Sequence, residues 1–169
     1  MLIGTEALDG KGGIYYSDDG GINWNKSQME NGNWRGIEDI IELENGDLLS
    51  GSMDGKMWLG TNLKEGEFIK GGRINISKDA GETWKILAGE TSWGSINSIL
   101  KIDDSTLLSS EGSNLIWSID NGINWFQFGT NFGSINNIIE SGNKLMLATS
   151  TGMGEIPKNR IIVNNIIRK

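Results

Sequence analysis

The chain has 169 residues, a net charge of −7 at pH 7, no cysteine and no histidine. Without those two residue types it can form no disulfide, no thiolate metal site, no Ser-His triad and none of the usual zinc sites, and its acidity argues against a nucleic-acid backbone as partner. Glycine is about twice its usual share, with 25 residues, while tryptophan occurs seven times and proline once.

Such a composition suits many tight turns with aromatic rings packed beneath them. The length is that of one domain and needs no covalent staple. No apolar run approaches the roughly 18 residues of a membrane span. The first residues, Met1-Leu2-Ile3-Gly4-Thr5-Glu6, lack the basic-then-apolar order of a signal peptide. The expectation is a chain with no signal peptide and no membrane insertion, for which a virion or the cytoplasm is the most compatible location.

Taken in order, the chain opens with short apolar strands over Leu2 to Thr5 and Gly13 to Ser17. Next comes Ser17-Asp18-Asp19-Gly20-Gly21-Ile22-Asn23-Trp24, which leads into a strand over Trp24 to Gln28. The stretch is written again as Ser77-Lys78-Asp79-Ala80-Gly81-Glu82-Thr83-Trp84 and as Ser118-Ile119-Asp120-Asn121-Gly122-Ile123-Asn124-Trp125. The shared pattern is Ser-x-Asp-x-Gly-x-(Asn/Thr)-Trp. Ser and Asp side chains bond nearby backbone and hold tight turns. Gly supplies the positive φ of a short hairpin loop. The Trp that follows folds its apolar face under the turn. Each copy therefore predicts a hairpin with a polar clamp at its tip and an indole at its base.

A second pattern runs in step with the first. Trp34-Arg35-Gly36-Ile37-Glu38-Asp39-Ile40-Ile41, Trp93-Gly94-Ser95-Ile96-Asn97-Ser98-Ile99-Leu100 and Phe132-Gly133-Ser134-Ile135-Asn136-Asn137-Ile138-Ile139 each begin with an aromatic and repeat Ile at fixed offsets. A turn follows each: Glu44-Asn45-Gly46, Asp103-Asp104-Ser105, Ser141-Gly142-Asn143. Then comes another apolar strand. One unit is thus strand A, turn, strand B, loop, strand C, clamped turn, strand D. Four short antiparallel strands repeated in this way are the signature of propeller blades.

The clamped stretch resembles the Asp-box, or BNR repeat, of sialidase-like β-propellers, with Ser, Asp, Gly and Trp in place in all three copies. The resemblance implies that Ser17, Asp19, Gly21, Trp24 and their counterparts are a folding device between the third and fourth strands of a blade, away from any catalytic centre. The expected fold is all-β, a partial propeller with about two complete and two incomplete blades. It forms one domain over 1–169, in units of about 2–30, 33–90, 93–129 and 132–169. The first unit lacks strand A. The last has A, B over Lys144 to Ser150 and C over Arg160 to Asn164, then lacks the box. Open sheet edges invite pairing with another chain, so a second copy or a different protein is expected to complete the ring.

The A–B and C–D turns share one end of such units, and the B–C and D–A connections share the other. About 20 residues beyond the usual blade length of about 40 fall around Met53 to Gly72, at the B–C end. Loops that vary on a regular scaffold are where binding is usually placed. The predicted binding set is Arg35, Trp58, Phe68, Arg73 and Glu111, with the Gly152 to Lys158 loop beside them. Aromatics with Arg and carboxylates suit sugar rings or a protein partner. Trp34, Trp93 and Phe132 read as repeated inter-blade core.

Kinship with sialidases would imply three arginines on a carboxylate, a Tyr–Glu nucleophile pair and an acidic proton donor. Here Tyr15 and Tyr16 sit directly before a box, Glu155-Ile156-Pro157 lacks the arginine of the family's Phe/Tyr-Arg-Ile-Pro segment, and no catalytic residue carries over. A two-carboxylate hydrolase could draw on Glu38, Asp39, Glu90 or Glu111, though spacing selects no pair. No cofactor and no metal are expected. The leading expectation is a non-enzymatic interaction or structural module that binds a glycan or protein. The Asn/Ile-rich composition would fit a phage tail or fibre component. The alternatives are a sialidase-like glycoside hydrolase or its inactive remnant, and an assembly factor for another complex.

Overall fold

The computed structural model describes residues 1–6, 12–30, 34–53, 71–89, 93–128 and 132–161. The first sheet comprises β1 (Leu2–Thr5), β2 (Gly13–Tyr16) and β3 (Asn25–Lys26). A short β4 (Gln28–Met29) precedes β5 (Ile37–Glu42), β6 (Leu48–Ser52), β7 (Arg73–Ser77) and β8 (Thr83–Ala88), and this second sheet has the order β4-β8-β7-β6-β5. The third holds β9 (Ile99–Lys101), β10 (Leu107–Glu111), β11 (Asn114–Ser118) and β12 (Phe126–Phe128), and the fourth β13 (Ile135–Ser141), β14 (Lys144–Thr149) and β15 (Gly152–Pro157). The fold is all-β. Every pairing is antiparallel except that of β4 with β8.

All three clamped turns form, with one wiring. The Ser17, Ser77 and Ser118 hydroxyls each donate to the Asp two residues on, at 2.8 Å, and accept from the Gly21, Gly81 and Gly122 N–H. The Asp carboxylate then accepts the backbone N–H of Asn23, Thr83 or Asn124 and that residue's side-chain donor. The Trp24, Trp84 and Trp125 indole N–H donates to the Gly carbonyl at 3.0, 3.0 and 2.8 Å. The residue before each Gly also has positive φ: 78° at Gly20, 58° at Ala80 and 56° at Asn121. Two successive positive φ values are what a mirror-image hairpin turn requires. The sequence reading assigned that strain to the Gly alone.

Three apolar clusters lie between successive sheets. Ile14, Leu48 and Trp84 join the first to the second, with Leu2, Trp34, Ile37 and Ile40 against them. Leu43, Leu49, Ile74, Ile76, Ile96, Ile99, Leu107 and Ile116 join the second to the third, with Trp125 alongside. The third and fourth meet through Leu108, Leu115, Trp117, Ile135, Ile138, Leu145, Leu147 and Ile156. Glycines on β1 and β6 let the sheets approach. A Cβ on Gly4 would lie 2.6 Å from Ile37, and one on Gly51 2.6 Å from Ile96. Trp34, Trp93 and Phe132 pack against these clusters, as expected of inter-sheet core.

Two strand expectations are corrected. Strand D of the first unit does not run unbroken from Trp24 to Gln28. At Ser27 the chain leaves its own sheet: the hydroxyl donates to Gly81 O at 2.5 Å, and Gln28 N donates to Glu82 O at 2.9 Å. The following β4 covers the outer edge of β8, an edge that would otherwise present unpaired backbone. In the fourth sheet, Gly152 to Lys158 is not a loop, because a tight turn after Thr149 returns the chain at once as β15. Arg160 and Ile161 therefore fall on a helical turn over 158–161 rather than on strand C, and residues 162–164 of that expected strand lie outside the described residues. Ile161 of this turn, 1% exposed, fills the third joint, as Trp84 and Trp125 serve the first two.

The box carboxylates set an acid limit. The backbone N–H of Asn23, then its side chain and Ser17, hold Asp19 down at about 2. Burial alone would push Asp79 and Asp120 up, but hydrogen bonds from Thr83 and Ser77, and from Asn124 and Ser118, bring both below the ordinary value. A depressed carboxyl stabilises the fold above its unfolded pKa and loses that contribution as pH falls through the folded one. Melting temperature should thus fall between the ordinary value of 3.8 and about 2. The variant carrying Asp19→Asn, Asp79→Asn and Asp120→Asn should show a flatter slope in thermal melts, and an NMR titration should place Asp19 near 2.

Candidate functional site

At the end where the first strand of each sheet begins, the segment leading into that strand is tied to the end of the same sheet's second strand. In the fourth sheet Ser134 N donates to Ser150 Oγ at 3.1 Å and Thr151 Oγ1 to Phe132 O at 2.7 Å. In the second, Met53 N donates to Gly36 O at 3.0 Å, and a Cβ on Gly36 would lie 2.8 Å from the Met53 sulfur. The segment bearing Arg35 is therefore pressed over the end of β6, and Arg35 is only 5% exposed. Exposure beside Trp34, as the sequence reading anticipated, is not what this residue has.

Arg73 and Glu111 come into one neighbourhood through Gly94. Gly72 N donates to the carbonyls of Trp93 and Gly94, each at 3.1 Å. Gly94 N in turn donates to Glu111 Oε1, while Glu111 Oε2 accepts from Asn114 Nδ2 at 3.0 Å. Glu111 is thus buried with both oxygens engaged, fixing the third sheet's first segment to its own β10–β11 turn. Arg73 is half-buried at the start of β7, and burial lowers its guanidinium pKa. A guanidinium stays charged regardless. Trp58, Phe68 and Glu90 lie outside the described residues.

A polar seam joins the inner strands. Asp39 Oδ1 accepts from Ile40 N at 2.9 Å, and Oδ2 accepts from Ile99 N at 2.7 Å on the next sheet. One sheet further on, Ser98 Oγ donates to Asn137 Oδ1 at 3.1 Å, and Asn97 Nδ2 donates to Ile135 O at 2.7 Å. Asp39, Ser98 and Asn137 hold the same repeat position, before the second Ile of the pattern. That recurring polar position was readable in the sequence, but its partners sit one sheet away. Asp39 therefore serves as a strap between sheets.

Glu38 behaves differently. Desolvation, and then the negative charge of Glu6 at the end of β1, raise its carboxyl above the ordinary range. Glu38 itself remains exposed on β5. Sequence reading named Glu38 but could not select its companion. Among the described residues no group of three or more acidic or other ligating side chains is arranged to hold a metal ion. No described helix is long and apolar enough to cross a membrane. A shallow cavity of about 150 Å³ lies instead at the clamped-turn end of the second sheet, lined by Glu30, Ile76, Lys78, Thr83, Trp84 and Lys85.

The family model described as BNR/Asp-box repeat matches residues 15–26, the first of the three clamped turns. No curated protein matches the chain. Among solved structures, a protein of unknown function from Dyadobacter fermentans aligns at TM-score 0.56 and 18% identity, over 80% of this chain and 43% of its own. An ancestral GH74 enzyme aligns at TM-score 0.62 and 12% identity, over 94% of this chain and 22% of its own. The Hadza microbial sialidase Hz136 aligns at TM-score 0.53 and 15% identity, over 85% of this chain and 34% of its own. The chain carries the Asp-box repeat and shares the fold of these three proteins, and it spans less than half the length of each.

The Glu38 environment has a measurable sign. A carboxyl whose pKa is raised by folding contributes stability below its unfolded value that is lost as pH rises through the folded one. Glu38→Gln removes that loss. Its melting temperature should exceed the parent's at neutral pH and converge with it below the ordinary value of 4.5. Scanning fluorimetry across that range reads the difference.

Proposed function

We propose that the chain is a non-enzymatic β-propeller module that binds a glycan or a protein partner at the end where its inner strands begin. Its four sheets are blades of one propeller, two complete and two short of a strand. The observation that carries this reading is the commitment of acidic groups at that end to the scaffold. Both oxygens of Glu111 and both of Asp39 hold backbone or a turn side chain. A two-carboxylate glycosidase needs an acid and a second carboxylate flanking the scissile bond, about 5–10 Å apart. Residues spent on holding strands together do not supply them. The sialidase and the GH74 enzyme that share the fold support a carbohydrate as the ligand class, and the Asn/Ile-rich composition supports a setting such as a phage tail or fibre.

The second reading is a sialidase-like glycoside hydrolase or its remnant, for which Glu38, exposed on β5 and with its pKa raised by desolvation and then by Glu6, is the candidate acid. A raised pKa is what a general acid needs near neutral pH. The test pairs a glycan array with a panel of chromogenic glycosides. Saturable binding without turnover is expected. Turnover that vanishes in Glu38→Gln would overturn the non-enzymatic reading. Glu111→Ala should cost about 1–3 kcal/mol of stability in urea denaturation, the usual penalty for stranding buried donors.

A further inference from the structure

The second and third sheets part company at three positions that the repeat makes comparable. In the third sheet Trp117 of β11 and Phe126 of β12 are cross-strand partners, and their rings stack at 4.7 Å. Phe126 and Ile119 both pack against the cluster that contains Trp117. Counted from the box serine and the box Trp, the same positions in the second sheet are Ile76, Lys85 and Lys78. Ile76 and Lys85 are again cross-strand partners. An aromatic stack with an aliphatic neighbour has become one aliphatic side chain flanked by two ammonium groups. The cavity of about 150 Å³ lies at this place, with Ile76 and both lysines in its lining.

The second sheet also carries a strand that the third lacks. β4 runs parallel to β8, with Gln28 level with Thr83 and Met29 with Trp84. Glu30 N then donates to Trp84 O at 2.8 Å, which brings Glu30 beside Lys85 and into the lining of the same cavity. Lys78 stays reachable: its side chain is 65% exposed, and its contact with Asp47 is a loose 3.6 Å. The Thr83 hydroxyl donates to Asp79, so its oxygen is left as an acceptor.

These groups select a ligand. An engineered cavity of about 150 Å³ holds benzene, so the space takes one six-membered ring. Lys78 and Lys85 suit an anionic group on that ring. Glu30 and the Thr83 oxygen accept hydroxyl protons. Ile76 offers an apolar surface to a C–H face. A ring with an anionic group, several hydroxyls and a C–H face is a pyranose that bears a carboxylate or a sulfate.

We infer that this cavity binds one anionic sugar residue, with Lys78 and Lys85 on the anionic group and Glu30 and Thr83 on ring hydroxyls. It lies at the clamped-turn end of the second sheet, away from the end where the inner strands begin, and it does not depend on what binds there.

The test is an amide NMR titration of the full chain, at one low ionic strength, with glucuronate, a sulfated glucose and glucose. At least one anion should shift the amides of Thr83, Trp84 and Lys85 saturably, and the tighter of the two identifies the anionic group. Lys78→Gln and Lys85→Gln should each weaken that binding about fivefold, the scale of one exposed ion pair. Lys85→Arg should retain it. If one glutamine variant loses the dispersed spectrum of the parent, the other carries the comparison. Glucose that shifts these amides as strongly as the anions overturns the inference. So does the lack of any shift there with either anion, or anion binding that the glutamine variants leave unchanged.

Discussion

The clamped turn is the constraint on which the rest of the structure depends. A Ser hydroxyl, an Asp carboxylate and an indole N–H satisfy the backbone of a loop that turns through two successive positive φ values. Left unsatisfied, such backbone groups near a packed indole would each cost free energy comparable to a lost hydrogen bond. With the clamp made, the turn fixes where the Trp enters, and the Trp fixes how closely the preceding sheet can approach. Trp84, at 1% exposure, sits in the first joint for this reason.

From those joints the placement of the polar groups follows. Gly4 and Gly51 let Ile37 and Ile96 settle onto the sheet before them. The inner strands then come close enough for Asp39 to reach Ile99 N and for Ser98 to reach Asn137. Carboxylates that look catalytic in a sequence are in this arrangement consumed as connectors. Glu111 is the clearest case, a buried acid that anchors one backbone N–H and one turn side chain. Glu38, exposed on β5, has its pKa raised instead by desolvation and then by the charge of Glu6.

The fourth sheet shows how the repeat tolerates loss. It has no Ser-x-Asp-x-Gly-x-x-Trp, yet its joint with the third sheet is filled by Ile161 and flanked by Arg160, whose guanidinium lies 5.1 Å from the Phe128 ring. An aliphatic side chain on a helical turn supplies buried area where an indole on a hairpin does so elsewhere. Apolar packing is non-directional, so the joint needs volume and not a particular motif. The hydrogen-bonded clamp is directional, and where its residues are missing the hairpin takes another form.

Local pattern sufficed for the three clamped turns, the Ile-spaced first strands and the assignment of Trp34, Trp93 and Phe132 to the core, because each is decided within about ten residues by turn chemistry and strand alternation. Arg35, Arg73 and Glu111 were recognisable as polar residues at one end of the units, but not as buried or engaged, since their partners come from segments distant in sequence. The same holds for the transfer of β4 to the second sheet, for β15 in place of a loop, and for the pairing of Glu6 with Glu38. The amino-acid sequence by itself determined the repeating hairpins, their clamps and the all-β class. Only the tertiary structure decided which carboxylates are spent on backbone and which strand joins a neighbouring sheet, because burial and hydrogen-bond partnership depend on the neighbouring sheet rather than on the neighbouring residue.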